Sequence, residues 1–296
     1  MAALVMTELK TVGVLVAWAR QSLDLAGVSN AAQEAMWLLE HVLGVQNHQL
    51  VSEAERLVAP DAWTRAEFLV ARRVAREPLQ YLLGSQDFCG LDFSVSPAVL
   101  IPRPETELLI KEVVRYVGFN PKTTIVDVGT GSGCVAITLA SLLSGTRILA
   151  IDQSPEALAV AKANAVRHAV DDRIEWLEGD LLVPLRERQL AGLVNVIVSN
   201  PPYISEADWA GLEPEVRVFE PRLALVGGQK GTEFHARLLQ DSREFLVPGG
   251  LLVMEIGQGQ APMVRHIAQQ VGGYAVLRVV EDAAGIERVV IAQRLR

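Results

Sequence analysis

Cysteine is scarce in this chain of 296 residues: Cys89 and Cys134 are the only two. Two thiols so far apart in sequence rule against a disulfide framework or a cysteine zinc site, and a reducing cytoplasm is the simplest home. The five histidines, His41, His48, His168, His235 and His266, lack any paired spacing on a helical turn, so no metal site is expected. Positive charge is also in deficit, with 27 Lys and Arg against 35 Asp and Glu and a net charge of −8. A broad grip on phosphate backbones needs clustered Lys and Arg, so a nucleic-acid substrate is disfavoured. Long apolar runs are missing too. The run Val12 to Ala17 falls well short of the ~20 residues of a membrane span, and no basic segment precedes it, so neither signal peptide nor anchor is expected. No internal repeat or low-complexity tract stands out.

What the chain does have is apolar content: half its residues are hydrophobic and 21% are charged, which fits a well-buried globular core. Its length favours one large unit plus a smaller one. Residues 1–84 carry almost no strand signal. Apolar residues recur there at helical spacing in Leu15, Val16 and Trp18 and again in Met36, Trp37, Leu38, Val42 and Leu43, which predicts a small helical bundle. Arg65, Arg72, Arg73 and Arg76 decorate the last long helix of this segment. They read first as a solvated helix face, with a partner-binding patch as the alternative.

From Gln86 the character changes. Phe88, Leu91, Phe93 and Val95 around Gly90 suggest a short hairpin, and Ile101-Pro-Arg-Pro104 forbids a helix through its prolines, so residues 85–104 read as a hairpin and linker. Across 105–296, apolar strands alternate with amphipathic helices. The strand candidates are Thr124–Val128, Ile148–Ile151, Ile174–Leu177, Val194–Ser199, Leu251–Ile256, Ala275–Val280 and Arg288–Ala292. Such alternation predicts an α/β fold with a mostly parallel sheet covered on both faces.

Asp127-Val-Gly-Thr-Gly-Ser-Gly133 follows the first of these strands and opens a helix, the place where open α/β sheets bind ligands. The glycines at 129, 131 and 133 let the main chain approach a ligand without a Cβ in the way. A dinucleotide fingerprint would require a small residue where Cys134 stands; the spacing instead resembles the first motif of class I methyltransferases. One βα unit later Asp152 ends a strand, where its carboxylate can accept from both hydroxyls of a ribose, and Ser154 and Pro155 read as the cap and first residue of the next helix. Near the end of the third strand Asp180 can accept from an adenine amino group, with Leu181 packed on the ring; a helix cap is an equal alternative for Asp180.

The fourth strand runs into Asn200-Pro-Pro-Tyr203. Successive prolines cannot donate, so this loop offers fixed acceptors beside an amide and an aromatic ring. An amide nitrogen is a poor nucleophile, and its lone pair must be aimed by binding. Asn200 through its side-chain oxygen and Pro201 through its main-chain oxygen can each accept one N–H, and Tyr203 can stack on the planar group. No general base is invoked.

Beyond these two motifs, Arg76-Glu-Pro-Leu-Gln-Tyr-Leu-Leu-Gly84, Leu100-Ile-Pro-Arg-Pro-Glu-Thr-Glu107, Phe219-Glu-Pro-Arg-Leu-Ala-Leu225, Glu255-Ile-Gly-Gln-Gly-Gln260 and Gly285-Ile-Glu-Arg-Val289 complete a pattern that resembles the release-factor glutamine N5-methyltransferase family over nearly the whole chain. The resemblance implies a Rossmann-like class I methyltransferase fold, with a seven-stranded sheet whose last strand is antiparallel, behind a small N-terminal helical domain that helps hold the release factor. It implies S-adenosyl-L-methionine as cofactor and a glutamine acceptor in a Gly-Gly-Gln loop. Carried over by position, Gly129, Thr130, Gly131, Ser132, Gly133, Asp152, Asp180, Leu181 and Asn200 would contact the cofactor, and Asn200, Pro201, Pro202 and Tyr203 the glutamine. The Pro102 to Glu107 cluster is expected either to line the cofactor pocket or to act as a rigid linker. A ribosomal-protein glutamine and, further off, an adenine amino group are the competing acceptors, because Asn-Pro-Pro-Tyr serves both chemistries.

Overall fold

The computed structural model describes residues 10–118 and 122–296. The first nine residues of the expected helical segment, and residues 119–121 of the expected catalytic segment, lie outside the described residues. The chain divides into two compact units. One runs through Gly84 and takes in Pro214–Phe219; the other holds Ser85–Glu213 and Glu220–Arg296.

The first unit is built from α1 (Val12–Leu25), α2 (Ala31–Leu43), α3 (Asn47–Ser52), α4 (Pro60–Val74) and α5 (Leu79–Leu83). Local chemistry sets their ends. The Thr11 hydroxyl accepts from the Val14 amide at the start of α1, Pro60 occupies the first turn of α4, and Gly44 and Gly84 adopt the left-handed conformation that stops α2 and α5. Leu15, Leu23, Leu38, Leu39, Trp63 and Val70 form its core, while Trp37, which shares the apolar pattern, stays exposed.

The expected solvated arginine face fails at two residues, Arg73 and Arg76, the second of which lies beyond the end of α4. Arg65 pairs with exposed Asp61 and Arg72 with Glu77, but Arg73 is only 5% exposed. Its guanidinium donates to Glu34 (2.6 Å) and to Glu215 (3.0 Å), and Arg76 donates to the other oxygen of Glu215 (2.8 Å). Burial alone would lower the Arg73 pKa; the two carboxylates outweigh it and hold it raised. Glu215, in the wide helical turn Glu215–Phe219, is therefore a member of the helical unit that arrives from far downstream in the sequence.

The second unit begins with the hairpin β1 (Ser85–Phe88) and β2 (Leu91–Ser94), continues through α6 (Glu107–Val117), and then alternates β3 (Thr124–Val128), α7 (Cys134–Leu142), β4 (Arg147–Asp152), α8 (Pro155–Arg167), β5 (Ile174–Glu178), α9 (Pro184–Glu187) and β6 (Val194–Ser199). The short strands β7 (Ile204–Ser205) and β8 (Val226–Gly228) pair with each other. They precede α10 (Glu233–Phe245), β9 (Leu246–Glu255), α11 (Ala261–Val271), β10 (Tyr274–Glu281) and β11 (Glu287–Arg294). All seven strand candidates are strands of one sheet, ordered β5-β4-β3-β6-β9-β11-β10. β11 runs antiparallel to both its neighbours, while β3, β4, β5, β6 and β9 are parallel.

The period of two sorts the strands between two cores. Ile125, Ile148, Val196 and Val253 face α6 and α7 on one side; Val126, Leu149, Ile197 and Leu252 face α10 and α11 on the other. This is why these strands read as nearly continuous apolar runs. The order reverses beside β3, which opens a crevice at the carboxyl ends of β3, β4 and β6.

Candidate active site

The crevice holds a cavity lined by Gly129, Thr130, Gly131, Ser132, Asp152, Asp180, Leu181, Asn200, Pro201 and Pro202, so ten of the twelve site residues expected from sequence converge on it. Gly133 and Tyr203 are the two that do not line it. Gly133, at φ +82°, caps α7, and an added Cβ there would lie 2.8 Å from the Ile137 side chain and 3.1 Å from Ala161. Its lack of a side chain therefore serves the packing of α7 against α8.

The glycine turn is pinned from below. The amides of Gly129 and Thr130 both donate to the Ile151 carbonyl, and the Gly131 amide donates to Asp152 Oδ2 (2.9 Å). Asp152 Oδ1 accepts from the Ser154 amide, and Ser154 caps α8 with Pro155 in its first turn. Asp152 thus joins the turn to the start of α8, and each of its oxygens retains a further lone pair for a ligand. Asp127, fully buried, takes the Thr130 hydroxyl (2.6 Å) and the Ala136 amide (3.2 Å) on Oδ2. Burial lifts its pKa to about 7 against these donors. Asn164, completely buried in α8, donates to the Ser132 carbonyl and exchanges hydrogen bonds with the Ser94 backbone, which fastens the β1–β2 hairpin to the glycine turn.

Asp180 does not act as a side-chain helix cap; its Oδ2 accepts from Arg237 of α10 (2.5 Å) at the surface end of the cavity. Leu181, at φ +48°, lines the cavity nearby, together with Phe234 of α10, which nothing in the local pattern singled out. Pro102, Arg103 and Thr106 line it as well, so the proline-rich cluster is part of the wall. That wall is held by Glu220, 5% exposed, which accepts from the Ile101 amide (3.1 Å) and pairs with the Arg103 guanidinium. The motifs around Pro102 and Pro221 therefore form one brace.

The tetrapeptide sits in a cage of glycines. Ser199 before it is tied through its hydroxyl to the Val128 carbonyl, which aligns the ends of β6 and β3. A Cβ on Gly227 would stand 2.4 Å from the Pro202 carbonyl, one on Gly231 2.3 Å from the Tyr203 carbonyl, and one on Gly257 3.1 Å from the Tyr203 ring. Gln260 clamps the same strand of backbone, donating from Nε2 to the Tyr203 carbonyl (2.8 Å) while its Oε1 accepts from Gly257. The Tyr203 carbonyl is thus spoken for, which narrows the loop's available acceptors.

Tyr203 directly, and Asn200 through Thr106, lead to one buried carboxylate that sequence reasoning placed only within a motif. Glu255, 2% exposed at the end of β9, accepts from the Thr106 hydroxyl (2.7 Å) and from the Tyr203 hydroxyl (3.3 Å). Thr106 Oγ1 in turn accepts from Asn200 Nδ2 (3.2 Å). With its amino end engaged, Asn200 keeps its side-chain oxygen as an acceptor at the cavity. Burial raises the Glu255 pKa to about 7 and raises that of the Tyr203 phenol. Cys134, which also lines the cavity, is pushed up to about 12 by burial, so it is no nucleophile at neutral pH.

These residues fit S-adenosylmethionine. At Gly129 (φ +73°) and Gly131 (φ +56°) an added Cβ would meet no protein atom within 4 Å, which leaves open space where the turn borders the cavity. Asp152 offers carboxylate lone pairs, and Leu181 and Phe234 offer apolar surface for a purine. A reversed strand order, a glycine turn and Asn-Pro-Pro-Tyr at neighbouring strand ends define a class I S-adenosylmethionine-dependent methyltransferase.

Comparison with known proteins is narrower. Residues 15–84 match the PrmC N-terminal domain and residues 104–211 the methyltransferase small domain. The release factor glutamine methyltransferase of Geobacter sulfurreducens is 41% identical over 283 residues, 96% of either chain. That of Moorella thermoacetica is 42% identical over 272 residues, covering 92% of this chain and 94% of the relative. Among solved structures, the human METTL16 catalytic domain in complex with an RNA hairpin superimposes with a TM-score of 0.56 at 19% identity, over 77% of this chain and 82% of that one, a likeness of fold alone. The chain belongs to the release factor glutamine methyltransferase family.

Proposed function

We propose that this protein methylates N5 of the glutamine side chain in the Gly-Gly-Gln motif of peptide-chain release factors, in the cytoplasm, and that its acceptor is protein rather than nucleic acid. The observation that carries the reading is the fixed Asn200 amide: its Nδ2 is occupied by Thr106, so its Oδ1 is presented as an acceptor at the cavity. Family membership and the net charge of −8 support the acceptor class.

When bound, S-adenosylmethionine supplies an electrophilic methyl group on a sulfonium. The residues of this chain do the rest by placement. Gly129 to Ser132, Asp152, Asp180 and Leu181 hold the cofactor, and Asn200 Oδ1 and the Pro201 carbonyl each accept one N–H of the glutamine amide, which turns its lone pair toward the methyl carbon. Pro202 keeps that backbone rigid, and Tyr203, which does not line the cavity, fixes the end of the loop through its hydroxyl on Glu255. The apolar wall excludes water, which favours spreading of the single sulfonium charge along the line from sulfur to nitrogen. No side chain removes a proton before transfer; the methylated amide carries the positive charge away from sulfur and loses its extra proton to solvent afterwards. The helical unit, in this reading, contributes to docking the release factor.

Mass spectrometry of a purified release factor, incubated with the protein and isotopically labelled cofactor, tests this directly. A single methyl on the Gly-Gly-Gln glutamine is expected, and naked nucleic acid in the same assay should stay unlabelled. Label on adenine or on a ribosomal protein alone sinks the acceptor assignment. Asn200→Ala should lower turnover ~10²–10³-fold while the protein stays folded.

A further inference from the structure

The line Glu255, Thr106, Asn200 has a direction. A hydroxyl carries one proton. An ionised carboxylate can only accept, so with Glu255 ionised the Thr106 hydroxyl must spend its proton on Oε2 (2.7 Å). The Thr106 oxygen then faces Asn200 solely as an acceptor, and only the amino end of the Asn200 amide can satisfy it (3.2 Å). Flipped by half a turn, the amide would set its oxygen against the Thr106 oxygen and its NH₂ against the incoming glutamine NH₂, donor against donor.

We propose that Glu255, acting through Thr106, is a positioning residue that selects which end of the Asn200 amide faces the acceptor nitrogen. This rests on the glutamine reading above and adds the device that orients its principal contact. The sequence separation is large, since Thr106 and Glu255 lie 149 residues apart, at the start of α6 and the end of β9. Tyr203 gives the same carboxylate a second donor, so one buried group ties down both flanks of the tetrapeptide.

The direction reverses on protonation. A neutral Glu255 can donate to Thr106, which frees the hydroxyl to donate to Asn200 and removes the preference for the productive flip. Buried as it is, Glu255 reaches this state near pH 7. Its surroundings are the Thr106 and Tyr203 hydroxyls, the carboxylate of Glu105, which raises its pKa, and Arg288, which lowers it while paired to Asp282 (2.8 Å). The His235 ring meets only the Glu255 backbone carbonyl (2.8 Å).

The test is turnover on a release factor with cofactor saturating, measured from pH 6 to pH 9, for the parent, Glu255→Gln, Thr106→Val, Thr106→Ser and the double variant Glu255→Gln/Thr106→Val. Affinity of each for a Gly-Gly-Gln peptide in the presence of S-adenosylhomocysteine is the second readout. Loss of one oriented hydrogen bond should lower both turnover and peptide affinity about five- to tenfold in Glu255→Gln and in Thr106→Val. Thr106→Ser should restore most of the loss, and the double variant should be no worse than either single one. The parent should lose activity as pH falls below about 7, and Glu255→Gln should lack that share of the fall; Asp127 titrates in both proteins and cancels in the difference. Parental turnover in Thr106→Val, or single losses that multiply in the double variant, overturns the proposal while leaving the acceptor reading intact. A parent that leaves the glutamine unlabelled overturns both.

Discussion

In the helical unit the buried charge is met by opposite charge, whereas in the catalytic unit Asp127 and Glu255 are met by hydroxyls and a backbone amide. Arg73 has two carboxylates, and Glu215, its pKa held down despite burial by its own backbone amide, is further held down by two guanidiniums. Asp127 and Glu255 have no cation in hydrogen-bond contact among the described residues, and burial carries both up to about 7. Glu220, paired with Arg103 in the cavity wall, follows the pattern of the helical unit. Pairing fixes a scaffold at a charge state that never changes near neutral pH. Hydroxyl donors leave a carboxylate free to titrate and give its neighbours a polarity, which suits a site that must orient a neutral amide.

Breaking the paired side of this contrast should have the largest effect. Arg73→Ala leaves Glu34 and Glu215 without their shared cation in a buried setting and should cost about 3–5 kcal/mol in urea unfolding, with cofactor affinity of the folded protein unchanged. The unpaired side is sharpened by Asp127→Asn. The folded pKa of Asp127 is raised, so its contribution to stability is complete below its unfolded value of 3.8 and is lost as pH rises through about 7. Parent stability relative to the variant should therefore decline by roughly 2–3 kcal/mol between pH 5 and pH 8. A parallel pH dependence in the two proteins would show that Asp127 is already ionised. At the small end, Asp61→Ala removes an exposed partner of Arg65 and should leave the unfolding midpoint unmoved within error.

Much of the fold was legible because its signals are contiguous. Each strand of the sheet is a short apolar run ended by glycine, proline or a polar residue, and both faces of the sheet are covered, so period and punctuation suffice. The glycine turn and Asn200 to Tyr203 are unbroken strings at strand ends, and topology brings such strings together. What escaped were partnerships across long separations. Asn164 reaches Ser94 over 70 residues and Thr106 reaches Glu255 over 149. Gly227 and Gly231 are needed because backbone approaches from elsewhere, and Gly257 because the Tyr203 ring and the Gln260 side chain do; no local pattern distinguishes such a glycine from one in a turn. Arg73 looked like its neighbours on α4, and two carboxylates distant in sequence separate it from them, Glu34, 39 residues before it, and Glu215, 142 residues after.

That last partnership bears on how the chain is made. Glu215 emerges long after α4, and at ~5–20 residues per second of synthesis the helical unit waits on the order of ten seconds before Arg73 and Arg76 meet it. Until then a cation destined for burial has Glu34 and the Glu77 carbonyl, and lacks its second carboxylate. The amino-terminal unit is thus completed only when its own late segment, Pro214–Phe219, has been made, and a fragment cut at Gly84 lacks that segment.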